Sequence, residues 1–486
     1  MTSYRDGAVS WLRLVDDAQR LLALPANHAE YPFGYHEARR LPALHDCAVR
    51  LETALTEAVA AIEDPSTDPE DIAEIERLVV DMKTALEPLL DRLRIMQEAA
   101  GLEPAPPSGI LAKISRMAGR GAGEVIDGIN ELRGPDSGTV IHSVRARALD
   151  VAMKKAFGIA GGAQTAARNV LVEITLGSGV TGYGEAAPFP AFNGETQEQA
   201  LAACGRAATE LVGKDLAALV KKASRIESAS ASAACAIETA LVDAHTKTLG
   251  VPLHAWLGGR EESLVTDITI TTGTVEEAAR EARAFALFET LKIKVGGGDV
   301  DWDVARVNAV FEARPDARLI LDANGGLSVA DAIRLARELR ARGIVPALFE
   351  QPVAAGSWEA LAEVRAQTGL RVAADESITC VADVDAALGN VDFVNVKIMK
   401  SGFFEAVRIA RRAKPQALGL MVGGMVETRL AHGASACLAA GIGGFAFVDL
   451  DTPLFLASDP FIGGYAQEGP RIDLTPVTLG HGATPR

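Results

Sequence analysis

Eight short apolar runs succeed one another from Val265 onward, at 265–270, 290–295, 319–321, 347–349, 372–374, 393–398, 418–422 and 445–450. Amphipathic stretches such as 329–341 and 404–413 separate them, so strand-length and helix-length segments alternate at intervals of roughly 20–30 residues. Parallel strands need a crossover of this kind between neighbours. Eight such units predict an α/β fold, a (β/α) barrel of the TIM type over residues 263–455. An open doubly wound sheet shares the alternation, so the pattern alone leaves both open.

The ends of the predicted strands carry the chemistry. Lys292 and Lys294 bracket Ile293 and point the same way. Asp322 ends Leu-Ile-Leu-Asp, Glu350 ends Ala-Leu-Phe-Glu, Asp375 ends Val-Ala-Ala-Asp, and Lys397 lies in Val-Asn-Val-Lys-Ile. From Lys294 onward the steps are 28, 28, 25 and 22 residues, one charged residue for each βα unit. In a barrel these ends converge on one mouth, where active sites of this architecture lie. One carboxylate there could merely cap a helix. Three on successive strands, flanked by lysines, would repel one another unless a cation sat among them. Three oxygen ligands with open positions suit a hard ion such as Mg²⁺. A lysine has a pKa of about 10.4 in water; a nearby cation, a second lysine and burial all lower it, which makes a general base. Lys294 and Lys397 stand on either side of the three carboxylate-bearing strands. One can take a proton α to a carboxylate and the other return it from the opposite face, which inverts the centre through an enediolate.

The remaining chain reads differently. Residues 1–134 show helical periodicity, as in Ile72, Ile75, Leu78, Val79, Met82, Leu86, Leu89, Leu93 and Met96, and are predicted to form an all-α domain. Pro88 should kink that stripe. Nothing in it looks catalytic: Gly119-Arg120-Gly121-Ala122-Gly123 lacks the features of a phosphate loop, and His28, His36 and His45 are too loosely spaced for a helical metal pair. A turn-rich linker, 134–138, leads to an α+β segment at 138–262, with strands at 140–151 and 169–176, helices at 197–212 and 233–249, and a loop at 182–190. The net charge of −16 argues against a nucleic-acid or anionic-membrane partner. Five scattered cysteines without CxxC, no signal peptide and no apolar stretch of 18 residues point to a cytoplasmic chain.

The pieces 291–296 (Leu-Lys-Ile-Lys-Val-Gly), 322–324 (Asp-Ala-Asn), 350–352 (Glu-Gln-Pro), 374–377 (Ala-Asp-Glu-Ser) and 395–402 (Asn-Val-Lys-Ile-Met-Lys-Ser-Gly) together resemble the enolase superfamily, in its muconate-lactonizing subgroup. The resemblance spans about residues 138–464. It implies that 138–262 is a capping domain, that 456–486 returns to it, and that residues 182–196 form one of the loops closing over the barrel mouth. It further implies that Asp322, Glu350 and Asp375 bind one Mg²⁺, that Lys294 and Lys397 are the acid/base pair, and that Lys292 assists near the substrate carboxylate. Lys400 is not the base in this alignment. Residues 447–454 (Phe-Val-Asp-Leu-Asp-Thr-Pro-Leu) resemble the Asp-x-Asp motif of the dipeptide epimerases, which implies that Asp449 and Asp451 hold a dipeptide α-ammonium. Thr269 in Thr-Asp-Ile-Thr-Ile, and Gly424 and Glu427 in residues 421–428, resemble substrate-binding positions of that group.

Two departures bear on substrate. The stretch 156–162 has no charge where alanyl-glutamate epimerases carry basic residues, although Lys154 and Lys155 precede it, and Gly325 stands where Gln is common. The reading is therefore an Mg²⁺-dependent dipeptide epimerase without an assigned side-chain preference. Alternatives in the subgroup are an N-acylamino acid racemase, an o-succinylbenzoate synthase or a muconate cycloisomerase. Outside enzymology, the N-terminal helical region could make the chain a scaffold that docks a protein partner, and a homo-oligomer is compatible with the sequence.

Overall fold

The computed structural model describes residues 138–159, 162–222 and 230–486, together with Leu51, Ala54, Ala58, Leu78, Val79, Met82 and Leu86. Those seven positions are helical and, apart from Val79, buried, at the spacing an apolar helical stripe produces. The other features predicted for 1–134, including Pro88, the 119–123 segment and the three histidines, lie outside the described residues. Two compact units are present, residues 1–135 with 255–259, and residues 136–254 with 260–486.

The second unit opens with an antiparallel sheet of β1 (Ile141–Ile159), β2 (Gly162–Leu176) and β3 (Thr181–Ala186), in that spatial order. Helix α1 (Gln197–Leu211) begins at a capping box in which Thr196 and Gln199 exchange hydrogen bonds. The alanine-rich α2 (Ala231–Thr248) is buried along most of its length. The predicted loop at 182–190 is corrected here: its first half is β3, paired with β2 from Thr175↔Thr181 to Val170↔Ala186. Its glycines serve close packing and make no turn. A Cβ at Gly184 would lie 1.8 Å from the Ala236 carbonyl oxygen, and one at Gly182 would lie 2.1 Å from that of Ala240. Only a residue without a side chain lets α2 come so near the sheet.

Eight parallel strands form the larger sheet in sequence order: β4 (Ile268–Ile270), β5 (Thr290–Lys294), β6 (Arg318–Asp322), β7 (Leu348–Glu350), β8 (Val372–Ala374), β9 (Phe393–Val396), β10 (Gly419–Gly423) and β11 (Phe445–Asp449). The backbone N–H of Asp267, just before β4, donates to the carbonyl of Val448 in β11 at 2.9 Å, so the ends of the sheet meet and the barrel nearly closes. This decides against the open sheet. The run predicted as one strand at 265–270 is two: Ser263–Val265 pairs antiparallel with Arg471–Asp473, and β4 starts afresh after Asp267. The C-terminal segment touches the first sheet, since Ala457 N–H donates to the Ala152 carbonyl at 2.8 Å. Among the described residues no helix is long and apolar enough to cross a membrane. Cys204, Cys235, Cys380 and Cys437 are free thiols.

Ile320, Leu348, Ala373, Phe393, Met421 and Phe447 form one buried cluster inside the barrel. Side chains two apart on a strand share a face. Each cluster residue therefore places a second inward residue nearer the carboxyl end: Asp322, Glu350, Asp375, Asn395, Gly423 and Asp449. The apolar floor fixes which residues reach the mouth.

Candidate active site

Lys294, Asp322 and Glu350 close β5, β6 and β7, and the register sets Lys294 opposite Asp322 and Asp322 opposite Glu350. Asp375 is the first residue after β8 and Lys397 the first after β9. All five are buried. The carboxylate-bearing strands lie between β5 and β9 in the sheet, so the two lysines flank the row from opposite sides.

Four buried lysines neutralise this row. Lys292 Nζ stands 2.9 Å from Asp322 Oδ2, 2.8 Å from Glu350 Oε2 and 2.6 Å from Asp449 Oδ2. Lys294 Nζ donates to Asp322 Oδ2 at 2.6 Å and to Asn324 Oδ1 at 3.3 Å. Lys397 Nζ donates to Asp375 Oδ2 at 2.7 Å, and Lys400 Nζ donates to Asp375 Oδ1 at 2.6 Å. Burial alone would raise the pKa of Asp322 and Asp375, but the lysines around each hold it well below the usual carboxylate range. Glu350 is pushed up to about 8 by burial and by the Asp322 charge. Burial would lower Lys397, yet Asp375, Glu350 and Asp449 more than reverse this and raise it. Lys400 is lowered, chiefly by burial.

Second contacts orient the carboxylates. Asn395 Nδ2 donates to Glu350 Oε1 at 2.7 Å, Asn324 N–H to Asp322 Oδ1 at 3.0 Å, and Asp375 N–H to Gln351 Oε1 at 2.9 Å. Asn324 and Gln351 adopt left-handed backbone conformations, φ 45° and 35°. Such strain costs about 1–3 kcal/mol per residue and is typical of functional loops. Asp322, Glu350 and Asp375 are wholly buried oxygen donors, and Glu350 Oε2 has ion-pair distance to Lys292 but no hydrogen bond. A donor set of this chemistry fits a small hard divalent cation.

A second concentration of negative charge lies across the barrel. Among the described residues, the carboxylate atoms that all lie within 4.8 Å of one another belong to Asp267, Asp449 and Asp451. Lys292 partners Asp449, and the Thr269 N–H donates to Asp451 Oδ2 at 2.6 Å. Both oxygens of Asp267 are buried without a partner. Asp449 is held low despite its burial, chiefly by Lys292, while burial and the Asp449 charge push Asp451 up to about 7. Asp267 escaped the sequence argument because it sits between two three-residue strands that read as one apolar run.

Gly424 and Glu427 follow β10. A Cβ on Gly424 would meet His432 Nε2 at 2.4 Å. Glu427 Oε1 accepts from Met425 N–H at 2.7 Å, and burial pushes this carboxyl up to about 8. Lys154 Nζ donates to the Leu454 carbonyl at 3.0 Å, and Lys155 is paired with Glu281. Beside Lys294, a cavity of about 650 Å³ is lined by residues that include Gly297, Gly298 and Trp302.

A capped (β/α) barrel with lysines and carboxylates buried at the carboxyl ends of its strands is the architecture of an acid–base enzyme. The chain belongs to the mandelate racemase/muconate lactonizing enzyme family of the enolase superfamily. Residues 143–258 match the mandelate racemase/muconate lactonizing enzyme N-terminal domain, and residues 274–486 match the enolase C-terminal domain-like family. An aromatic dipeptide epimerase from Herpetosiphon aurantiacus is 44% identical over 71% of this chain and 98% of its own length. The crystal structure of a mandelate racemase/muconate lactonizing protein from the same organism, 43% identical, superposes with a TM-score of 0.70 over 72% of this chain and 99% of that one. The dipeptide epimerase from Enterococcus faecalis, solved with Mg and the dipeptide L-Leu-L-Tyr, is 32% identical with a TM-score of 0.67, covering 71% and 99% of the two chains.

Proposed function

We propose that this chain is a dipeptide epimerase, an isomerase that inverts the α-carbon of the second residue of a dipeptide by two-base proton transfer. The observation that carries this is the pairing of two opposed poles in one barrel mouth. A carboxylate row flanked by Lys294 and Lys397 stands on one side, and the buried Asp267, Asp449 and Asp451 stand on the other. A dipeptide has matching ends, an anionic carboxylate beside the carbon to be inverted and a cationic α-ammonium.

Asp322, Glu350 and Asp375 are the residues that would hold Mg²⁺. When bound, Mg²⁺ supplies positive charge that stabilises an enediolate and lowers the pKa of neighbouring lysines. Asp449 and Asp451 accept from the α-ammonium and so fix the distance of the second α-carbon from the lysines. One lysine Nζ takes the α-proton; the other gives a proton to the opposite face. Lys292, buried among Asp322, Glu350 and Asp449, keeps the carboxylates compensated and adds positive charge near the substrate carboxylate. Thr269 orients Asp451 through its N–H, and Gly424 and Glu427 border the same mouth. The basic residues nearest the uncharged 156–162 stretch are engaged, Lys154 by a carbonyl and Lys155 by Glu281. This favours an uncharged second side chain over an acidic one.

The test is incubation with Mg²⁺ and a dipeptide library in D₂O, followed by chiral analysis. Deuterium at the second α-carbon with inversion is the expected result. A variant with Asp449→Ala and Asp451→Ala that keeps full activity would point instead to a substrate lacking a free ammonium, such as an N-acylamino acid.

A further inference from the structure

Arg306 is among the largest fully buried side chains described, at 2% exposure, and lies on the helix Val300–Ala313 that follows β5. Its Nη1 donates to the Lys294 carbonyl at 2.6 Å and its Nη2 to the Thr271 carbonyl at 2.7 Å. One turn earlier on the same helix, Asp303 Oδ2 accepts from the Gly296 N–H at 2.7 Å. The backbone from the Lys294 carbonyl to the Gly296 N–H is thus gripped by two charged side chains of one helix. Gly296 itself has φ of +80°, and a Cβ there would press the Ala323 carbonyl at 3.2 Å, so the turn beyond Lys294 has little freedom. The buried guanidinium thus has two carbonyl acceptors and, at 3.9 Å, the Asp303 carboxylate as its compensating charge.

The other lysine is held from within its own segment, where Lys400 Nζ donates to the Asn395 carbonyl at 3.0 Å, two residues before Lys397. The Lys397 carbonyl accepts from Lys400 N–H at 3.1 Å and Ser401 Oγ at 3.3 Å, both within its own short helix. Arg306 and Asp303 therefore act at the strand end of Lys294 and leave that of Lys397 untouched.

We propose that Arg306, with Asp303, is a positioning residue that fixes the strand end carrying Lys294 and thereby sets proton transfer on one face of the substrate only. This rests on the function proposed above. Misplacement of a reacting group by about 1 Å can cost roughly a hundredfold in rate. A clamp on one of two bases therefore has a stereochemical signature that a general loss of stability lacks.

The experiment follows α-hydrogen exchange in D₂O with Mg²⁺, starting separately from each epimer of one dipeptide, in wild type, Lys294→Ala, Lys397→Ala, Arg306→Met and Arg306→Lys. The two lysine variants should lose exchange from opposite epimers, because either base can still exchange its own face without inversion. Arg306→Met should lower exchange by roughly tenfold or more from the epimer that Lys294→Ala silences, and by less than about twofold from the other. Arg306→Lys keeps a charge but lacks the planar fork whose two nitrogens reach the Lys294 and Thr271 carbonyls, so it should show the same asymmetry in milder form. If Arg306→Met does not fold, Arg306→Lys carries the test. Equal slowing from both epimers, or no slowing, overturns the proposal while the epimerase function stands. Wild type that exchanges neither epimer overturns both.

Discussion

Asp451 shows how much of the site is set by charge at single residues. Burial and the neighbouring Asp449 push its carboxyl up to about 7, so it is half protonated near neutral pH. An anionic acceptor holds an ammonium more strongly than a neutral one. The population of Asp451 as carboxylate is therefore about half near pH 7, nearly full by about pH 8, and approaches a tenfold fall per unit below about pH 6. KM for a dipeptide should rise as the pH drops from about 8 to about 6, and Asp451→Asn should leave KM high and nearly flat across that range. A wild-type KM that does not change with pH would contradict the role given to Asp451. The lysines yield a second expectation. Replacing Lys294 or Lys397 by alanine removes one proton carrier and should lower turnover by about 10²–10⁴-fold, read as inversion by chiral chromatography. An inversion rate within threefold or so of wild type in either variant would remove that lysine from the reaction.

Between elements, glycine decides how closely layers approach. Gly184 in β3 and Gly205 in α1 are the same residue in opposite situations: a Cβ at the first would collide with the Ala236 carbonyl, whereas one at the second meets nothing within 4 Å. Gly184→Ala should destabilise the protein by about 1–3 kcal/mol, because the sheet and α2 must separate. Gly205→Ala should stabilise by about 0.5–1 kcal/mol, because a helix interior prefers alanine. Thermal unfolding of the two variants checks the pair, and a shift of the same sign in both would refute the packing argument. These glycines also show what a sequence conceals. Gly182 and Gly184, with the proline-rich stretch after them, read as a loop, since glycine marks turns and close packing alike and only the position of α2 separates the two. The charged strand ends were legible for the opposite reason. Asp322, Glu350 and Asp375 end apolar runs at nearly constant spacing, and a period of two carries each from an apolar floor to the mouth. Arg306 and Asp303 gave no such sign, being ordinary charges on an amphipathic helix until the fold turns them onto the backbone at Lys294 and Gly296.

At the scale of the molecule, the family match covers residues 143–258 and 274–486, so the chemistry resides in the capping sheet and barrel. Three fully buried carboxylates compensated by lysines should be stabilised further by a divalent cation that binds the folded protein alone, by mass action. Saturating Mg²⁺ should raise the unfolding temperature, chelation should reverse the rise, and Asp375→Asn should abolish most of it. An unchanged unfolding temperature would contradict the assignment of Asp322, Glu350 and Asp375 as ligands. The most direct measurement concerns the α-carbon itself. The protein, Mg²⁺ and an L,L-dipeptide with an apolar second residue are incubated in D₂O, and the product is resolved by chiral separation and mass. Two-base epimerisation through Lys294 and Lys397 predicts one deuterium at the second α-carbon together with formation of the L,D epimer. The absence of both deuterium and inversion across a library of dipeptides would contradict it.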